Sequence, residues 1–130
     1  MSILRGQVWW WNCPFHNRDH IQKGTRPVVI VSNDTCNEMS SCVTVVTLTT
    51  KASDAYPQQV PIVLDRRVSI ALAEQMTTIP VRELGKYVTT LQQFQMDAID
   101  RAILVQLGLV DARNGVYCAK KIRVTEDGAC

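Results

Sequence analysis

No apolar run in this chain approaches the roughly 18 residues that a membrane-crossing helix needs, although apolar residues make up 46% of its 130 positions. That pattern points away from the membrane. Glycine and proline are sparse, six and five in all, which excludes a collagen-like or low-complexity chain. No long block of one charge occurs. Fourteen Lys and Arg stand against twelve Asp and Glu, a net charge of +2. That balance permits nucleic-acid binding without demanding it, so any anion site must be built by local arrangement. The opening Met1-Ser2-Ile3-Leu4-Arg5-Gly6 lacks the apolar stretch of a secretory signal. The five cysteines, Cys13, Cys36, Cys42, Cys118 and Cys130, contain no C-x-x-C pair. Their odd number and the missing signal favour free thiols in a reducing cytoplasm. There is no internal repeat, and the length suits one domain. A steady supply of Val, Ile and Leu with only 20% charged residues separates the chain from disordered ones.

What is present reads first as β. Gln7 to Trp11 is aromatic and β-branched, as strands prefer. Alternation along it sends Trp9 and Trp11 to one face and Trp10 to the other, with core or dimer contact as the expected use of the rings. Val28-Val29-Ile30-Val31 is a continuous apolar run of strand length, which predicts a strand buried on both faces. Asn33-Asp34 ends it as a turn. Val43 to Thr50, Val60 to Leu64 and Val68 to Ala73 are further strands, and Pro57 and Pro61 place the second at an edge or strand start. Between the first two strands, Asn12 to Gly24 is a long polar loop carrying His16, Arg18, His20 and Lys23. Long loops in compact domains are commonly functional.

The last third predicts one long helix. Thr90-Leu91-Gln92-Gln93 fits a capping box with Thr90 as N-cap. Leu91, Phe94, Ala98, Ala102 and Val105 follow helical spacing, widened by Ile99, Ile103 and Leu107, and Gly108 suits the position after the helix. Pro80 to Leu84 predicts a short helical turn with proline at its first position. Short strands with one long helix imply a small barrel or curled sheet capped by that helix. Residues 1–110 form this unit, and 111–130 form an extension with one possible short strand at Val116-Tyr117-Cys118.

One cluster has metal-like spacing, Cys13-x-x-His16-x-x-x-His20. A structural zinc site requires a fourth ligand, which only Cys36 or Cys42 could bring by a coincidence of folding. The reading is therefore of a polar loop, with no metal and no cofactor.

Four blocks in order resemble the MazF/PemK family of toxin endoribonucleases. They are Arg5-Gly6-Gln7-Val8-Trp9; Gly24-Thr25-Arg26-Pro27-Val28-Val29-Ile30-Val31-Ser32-Asn33-Asp34; the strand Val43 to Thr50; and Ala73-Glu74-Gln75-Met76-Thr77-Thr78-Ile79 followed by Arg82 and Leu84. The resemblance spans roughly residues 3 to 109. It implies a mainly β fold with helices, an SH3-like small barrel of the CcdB/PemK/MazF kind with a C-terminal α-helix. It also implies a cytoplasmic homodimer that cleaves single-stranded RNA at a short sequence without a metal, and that is neutralised by a cognate antitoxin.

The resemblance assigns residues to this chemistry. Arg26 matches the family's R-P arginine, and its planar guanidinium suits a phosphate. Thr49 matches the active-site threonine at the end of the third strand, with Thr47 and Thr50 as competitors for the register. His20 and Gln22 match an H-x-Q form of the loop, whose middle Glu is Ile21 here, and a histidine can serve as acid or base near neutral pH. Glu74 matches an acidic residue proposed as a base in some members, or it orients Arg26 by an ion pair. Gln75 reads a base edge or braces its loop, and Arg18 and Lys23 are expected phosphate contacts. Two departures stand out: Ala73 and Thr77 occupy positions where members carry arginine. With the missing loop Glu, these departures leave open an interaction module that keeps the barrel but has lost cleavage; a CcdB-like gyrase-binding toxin of the same fold, without catalysis, is the other alternative.

Overall fold

The computed structural model describes residues 2–14, 25–51 and 58–111. Six strands, β1 (Gln7–Asn12), β2 (Thr25–Ile30), β3 (Cys42–Thr49), β4 (Gln59–Leu64), β5 (Arg67–Pro80) and β6 (Leu84–Thr90), form one antiparallel sheet. Their order is β4-β5-β3-β2-β1-β6. Two helices accompany them, α1 (Asp34–Met39) and α2 (Gln93–Gln106). The expected mainly β architecture with a C-terminal helix is what the chain forms.

The sheet is apolar on both sides, which is why β2 reads as an unbroken apolar run. Val28, Val29 and Ile30 are all fully buried. Val8, Val29, Val46, Leu48, Ile62 and Ala71 pack on Leu91 and on Met96 and Ile99 of α2, forming the helix face. On the opposite face, Trp9 and Trp11 of β1 cluster with Val28, Ile30, Val43, Val45 and Ile79. Contact between the tryptophans of β1 and the far end of β5 requires the sheet to curl into a half-barrel. The tryptophan alternation holds: Trp9 and Trp11 are 9% and 4% exposed, and Trp10 is 40% exposed.

Between β4 and β6, the two edges, lies a cleft of ≈ 420 Å³ reaching the N-terminus of α2. The β4–β5 hairpin turns through Asp65 and Arg66, both with positive φ (47° and 66°), as a two-residue type I′ turn requires.

Several local expectations are corrected. Asn33-Asp34 is not a bare turn: Asn33 caps α1, its side chain accepting from Cys36 N at 2.9 Å. The short strand expected at Val68 to Ala73 continues to Pro80, because β5 pairs with β4 along its first half and with β3 along its length. A further strand, β6, fills the stretch between the Pro80 to Leu84 turn and the helix, where the sequence pattern predicts no element. The turn itself is a 3-10 segment, Val81–Glu83, with Pro80 as its cap residue rather than its first position. The capping box belongs to Gln92 and Gln95. Thr90 ends β6 instead, its hydroxyl 2.7 Å from Tyr87 OH. With the helix starting later, its buried stripe is Met96, Ile99 and Ala102, while Phe94 is 68% exposed. Gly108 follows the helix with φ +74°, as expected.

The Arg5-Gly6-Gln7 block has a structural explanation. Arg5 donates through Nε to Val31 O at 3.0 Å, pairs with Asp100 of α2, and donates its backbone N–H to Asp34 at 2.7 Å. Gly6 has φ +93°; its N–H donates to Ile30 O and its carbonyl accepts from Leu91 N. The buried Gln7 side chain accepts from Leu4 N and from Trp9 Nε1. These residues fasten the entry of the chain to β2, α1 and α2. No helix among the described residues is long and apolar enough to cross a membrane.

Candidate active site

Strand register assembles the site. On the face opposite the helix, Trp9, Val28, Thr47, Leu72 and Gln59 form one row of cross-strand partners. In the next row, Trp11 pairs with Arg26, and Thr49 pairs with Ile70, which pairs with Pro61. Continuing the β2–β3 register from the Val28–Thr47 pair by two residues sets Arg26 opposite Thr49. Two residues far apart in the sequence are thus neighbours on the two central strands. The doubly buried β2 positions Arg26, and Pro27 beside it restricts the backbone near the start of the strand.

Thr49 is buried, and its Oγ1 accepts Lys51 N–H at 3.2 Å. That bond occupies a lone pair and leaves the hydroxyl proton available for an anionic oxygen. Thr47 lies one row away, also buried, and its Oγ1 has no hydrogen-bond partner. Thr50 lies beyond the end of β3 and is exposed.

Glu74 and Gln75 fall on an irregular stretch of β5. From the Thr47–Leu72 pair to the Val45–Thr77 pair, β3 advances two residues while β5 advances five. The bulged residues are therefore released from the regular ladder. Both Glu74 and Gln75 are half-buried. Gln59 Nε2 donates to Glu74 Oε1 at 3.1 Å, while Glu74 Oε2 is buried without a hydrogen-bond partner. Since Gln59 shares a row with Leu72 and Thr47, this bond brings the Glu74 carboxyl to the face that carries Arg26. Burying a polar atom without a partner is costly. Two such atoms, Thr47 Oγ1 and Glu74 Oε2, lie in this part of the sheet.

Register therefore puts Arg26, Thr49 and Gln59 on one face of the sheet, Gln59 bonded to Glu74, with Gln75 adjacent to Glu74 in the same bulge. His20, Gln22, Lys23 and Arg18 lie outside the described residues, as does His16, so that of the metal-like cluster only Cys13 is described. Among the described residues no group of three or more His, Cys, Asp or Glu is placed to hold a metal ion, and Cys13, Cys36 and Cys42 are free thiols. Gln59 is absent from the sequence reading. No motif marks it, and only the β4–β5 register brings it to Glu74.

Comparison with known proteins places the chain and its fold. The profile of the PemK-like, MazF-like toxins of type II toxin-antitoxin systems matches residues 4–107. The chain is 35% identical over 95 residues to the endoribonuclease EndoA of Bacillus subtilis (strain 168), an alignment covering 69% of this chain and 82% of EndoA. Among solved structures, an endoribonuclease in complex with its cognate antitoxin from Mycobacterial species superposes with a TM-score of 0.71 at 28% identity, covering 83% of this chain and 97% of that one. MazF from Deinococcus radiodurans shares the fold, with a TM-score of 0.72 at 18% identity over 83% of this chain and 98% of that one.

Proposed function

Because the chain belongs to the PemK-like, MazF-like toxins of type II toxin-antitoxin systems, we propose that it is a sequence-specific endoribonuclease that cuts single-stranded RNA without a metal. The observation that carries the reading is the β2–β3 register, whose continuation aligns Arg26 with Thr49, backed by the buried and unpartnered Thr47 Oγ1 and Glu74 Oε2.

The reaction uses the substrate's own 2′-hydroxyl. Its oxygen bonds to the adjacent phosphorus, the bond from phosphorus to the 5′ oxygen breaks, and the products carry a 2′,3′-cyclic phosphate and a 5′-hydroxyl. A base takes the 2′ proton and an acid delivers one to the departing 5′ oxygen. Arg26 supplies two parallel donors to the non-bridging oxygens as negative charge accumulates there. The Thr49 hydroxyl, already accepting from Lys51, donates to a phosphate oxygen. Thr49 cannot be the base, because its proton is held too tightly. Glu74 and His20 take the proton-transfer roles. A carboxylate oxygen with a free lone pair is a competent acceptor, and an imidazole both accepts and returns a proton at neutral pH. Gln75 and Gln22 contact bases, and Lys23 and Arg18 hold flanking phosphates.

In this reading the working unit is a cytoplasmic homodimer of residues 1–110, with 111–130 as an appended segment. Its partner in the cell is a cognate antitoxin.

The test is cleavage of a long single-stranded RNA in EDTA, with both ends mapped, by wild type and Arg26→Ala. Cuts at one recurring short motif, cyclic-phosphate and 5′-hydroxyl ends, and loss of activity in the folded variant are the expected results. No cleavage by folded wild type across a broad set of RNAs overturns the reading, and gyrase inhibition without cleavage replaces it with the CcdB-like alternative.

A further inference from the structure

The irregular stretch of β5 poses a mechanical problem. A carboxylate that is to accept a proton must present one oxygen at a fixed place. The terminal torsion of a glutamate is broad, with no steep rotamer wells to hold it. Glu74 also sits where the β3–β5 ladder is interrupted, so the neighbouring central strand does not fix its backbone regularly. The edge strand β4 supplies what β3 does not. Gln58 O accepts Ala73 N–H at 3.0 Å, clamping the backbone just before Glu74. Gln59 Nε2 then donates to Glu74 Oε1 at 3.1 Å, clamping the carboxyl itself. Consecutive residues thus hold the bulge by main chain and side chain together. The carboxylate is left with one oxygen engaged and the other, Oε2, buried and open.

We propose that Gln59 is a positioning residue for RNA cleavage: it fixes the Glu74 carboxylate so that Oε2 faces the reacting 2′-hydroxyl. The inference rests on the ribonuclease reading with Glu74 in a proton-transfer role. The choice of side chain fits the task. An amide donates one hydrogen bond without adding charge. A lysine or arginine in its place would hold Glu74 as an ion pair and weaken it as a proton acceptor. Removing the amide frees the carboxyl rotor and leaves substrate contacts by Arg26 and Thr49 intact. The predicted signature is therefore a loss in the chemical step with RNA affinity unchanged.

The experiment is a double-mutant cycle. Gln59→Leu, Glu74→Gln and the double variant are compared with wild type in single-turnover cleavage with enzyme in excess. Affinity is measured separately with an RNA carrying 2′-deoxyribose at the cut site, and thermal unfolding is followed for each. Gln59→Leu is expected to slow cleavage by about 10- to 100-fold, the scale on which small misplacements act, at unchanged affinity and unfolding midpoint. In the Glu74→Gln background the same change is expected to cost little more. An equal further loss in both backgrounds, or a loss that follows a drop in unfolding midpoint, overturns the positioning role and makes Gln59 a structural residue. Full activity of Glu74→Gln overturns it too, while leaving the ribonuclease reading intact. Absence of cleavage by wild type overturns both.

Discussion

Val28 pairs with Thr47 across the two central strands, and the same antiparallel register carried two residues further aligns Arg26 with Thr49. The alignment of the two residues thus derives from strand register. If the pair acts on one phosphate, its two members fail differently. Arg26→Ala is expected to reduce cleavage by about 10²- to 10³-fold, the usual loss when a donor to a developing charge is removed. Arg26→Lys restores only part of this, since a point charge does not reproduce the two-pronged contact. Thr49→Ser keeps most of the activity and Thr49→Ala does not. Single-turnover rates on one RNA containing the cut motif check all four.

The hairpin tip offers a stability prediction of opposite sign. Asp65 and Arg66 both adopt positive φ, which costs a residue with a Cβ roughly 1–2 kcal/mol where glycine pays little. Replacing the pair with Asn-Gly is expected to stabilise the fold by about 1 kcal/mol and raise the unfolding midpoint by roughly 3–6 °C. Thermal denaturation of the purified variant tests this.

Gly6 carries the converse strain. Its φ is +93°, and an added Cβ would lie 3.6 Å from Met96 Cγ, an ordinary contact. Space is available, so the penalty of Gly6→Ala comes from the backbone alone, about 1–2 kcal/mol. Urea unfolding should show that loss with an unchanged slope, because the exposed surface on unfolding stays the same.

Ile99 is fully buried where α2 meets Val8, Val29 and Val46. Ile99→Ala is expected to cost about 2–5 kcal/mol. Phe94→Ala, on the exposed side of the same helix, should change stability by less than about 0.5 kcal/mol. The contrast, read from denaturant midpoints, tests the corrected phase of the helix.

The sequence revealed some of this and concealed the rest for identifiable reasons. The apolar run of β2 and the tryptophan alternation of β1 were legible, because burial on two faces and on one face leave different periods. The helix was legible in existence but not in phase. Leu91 extends its apolar pattern backwards, although Leu91 lies before the cap. The strand β6 was hidden by its composition: Gly85, Lys86, Tyr87 and Val88 are all exposed, so they leave no alternating core signal. Arg26, Thr49 and Glu74 were reached through motif resemblance. Gln59 could not be, because a hydrogen bond across a strand pair leaves no trace in local sequence.

The two-sided burial of Val28, Val29 and Ile30 has a consequence for folding fidelity. Polarity usually polices strand alignment, since a one-residue slip drags apolar groups into water. Along this segment a slip would exchange one buried aliphatic for another and forfeit little burial. It would, however, turn Arg26 towards the side covered by the helix and away from Thr49. Correct alignment must therefore be enforced by the flanks: the Gly6 N–H on Ile30 O, the Arg5 side chain on Val31 O, and Asn33 capping α1. A misaligned population would be nearly as compact as the native one yet catalytically silent. For this molecule specific activity is a more sensitive gauge of correct folding than its melting temperature.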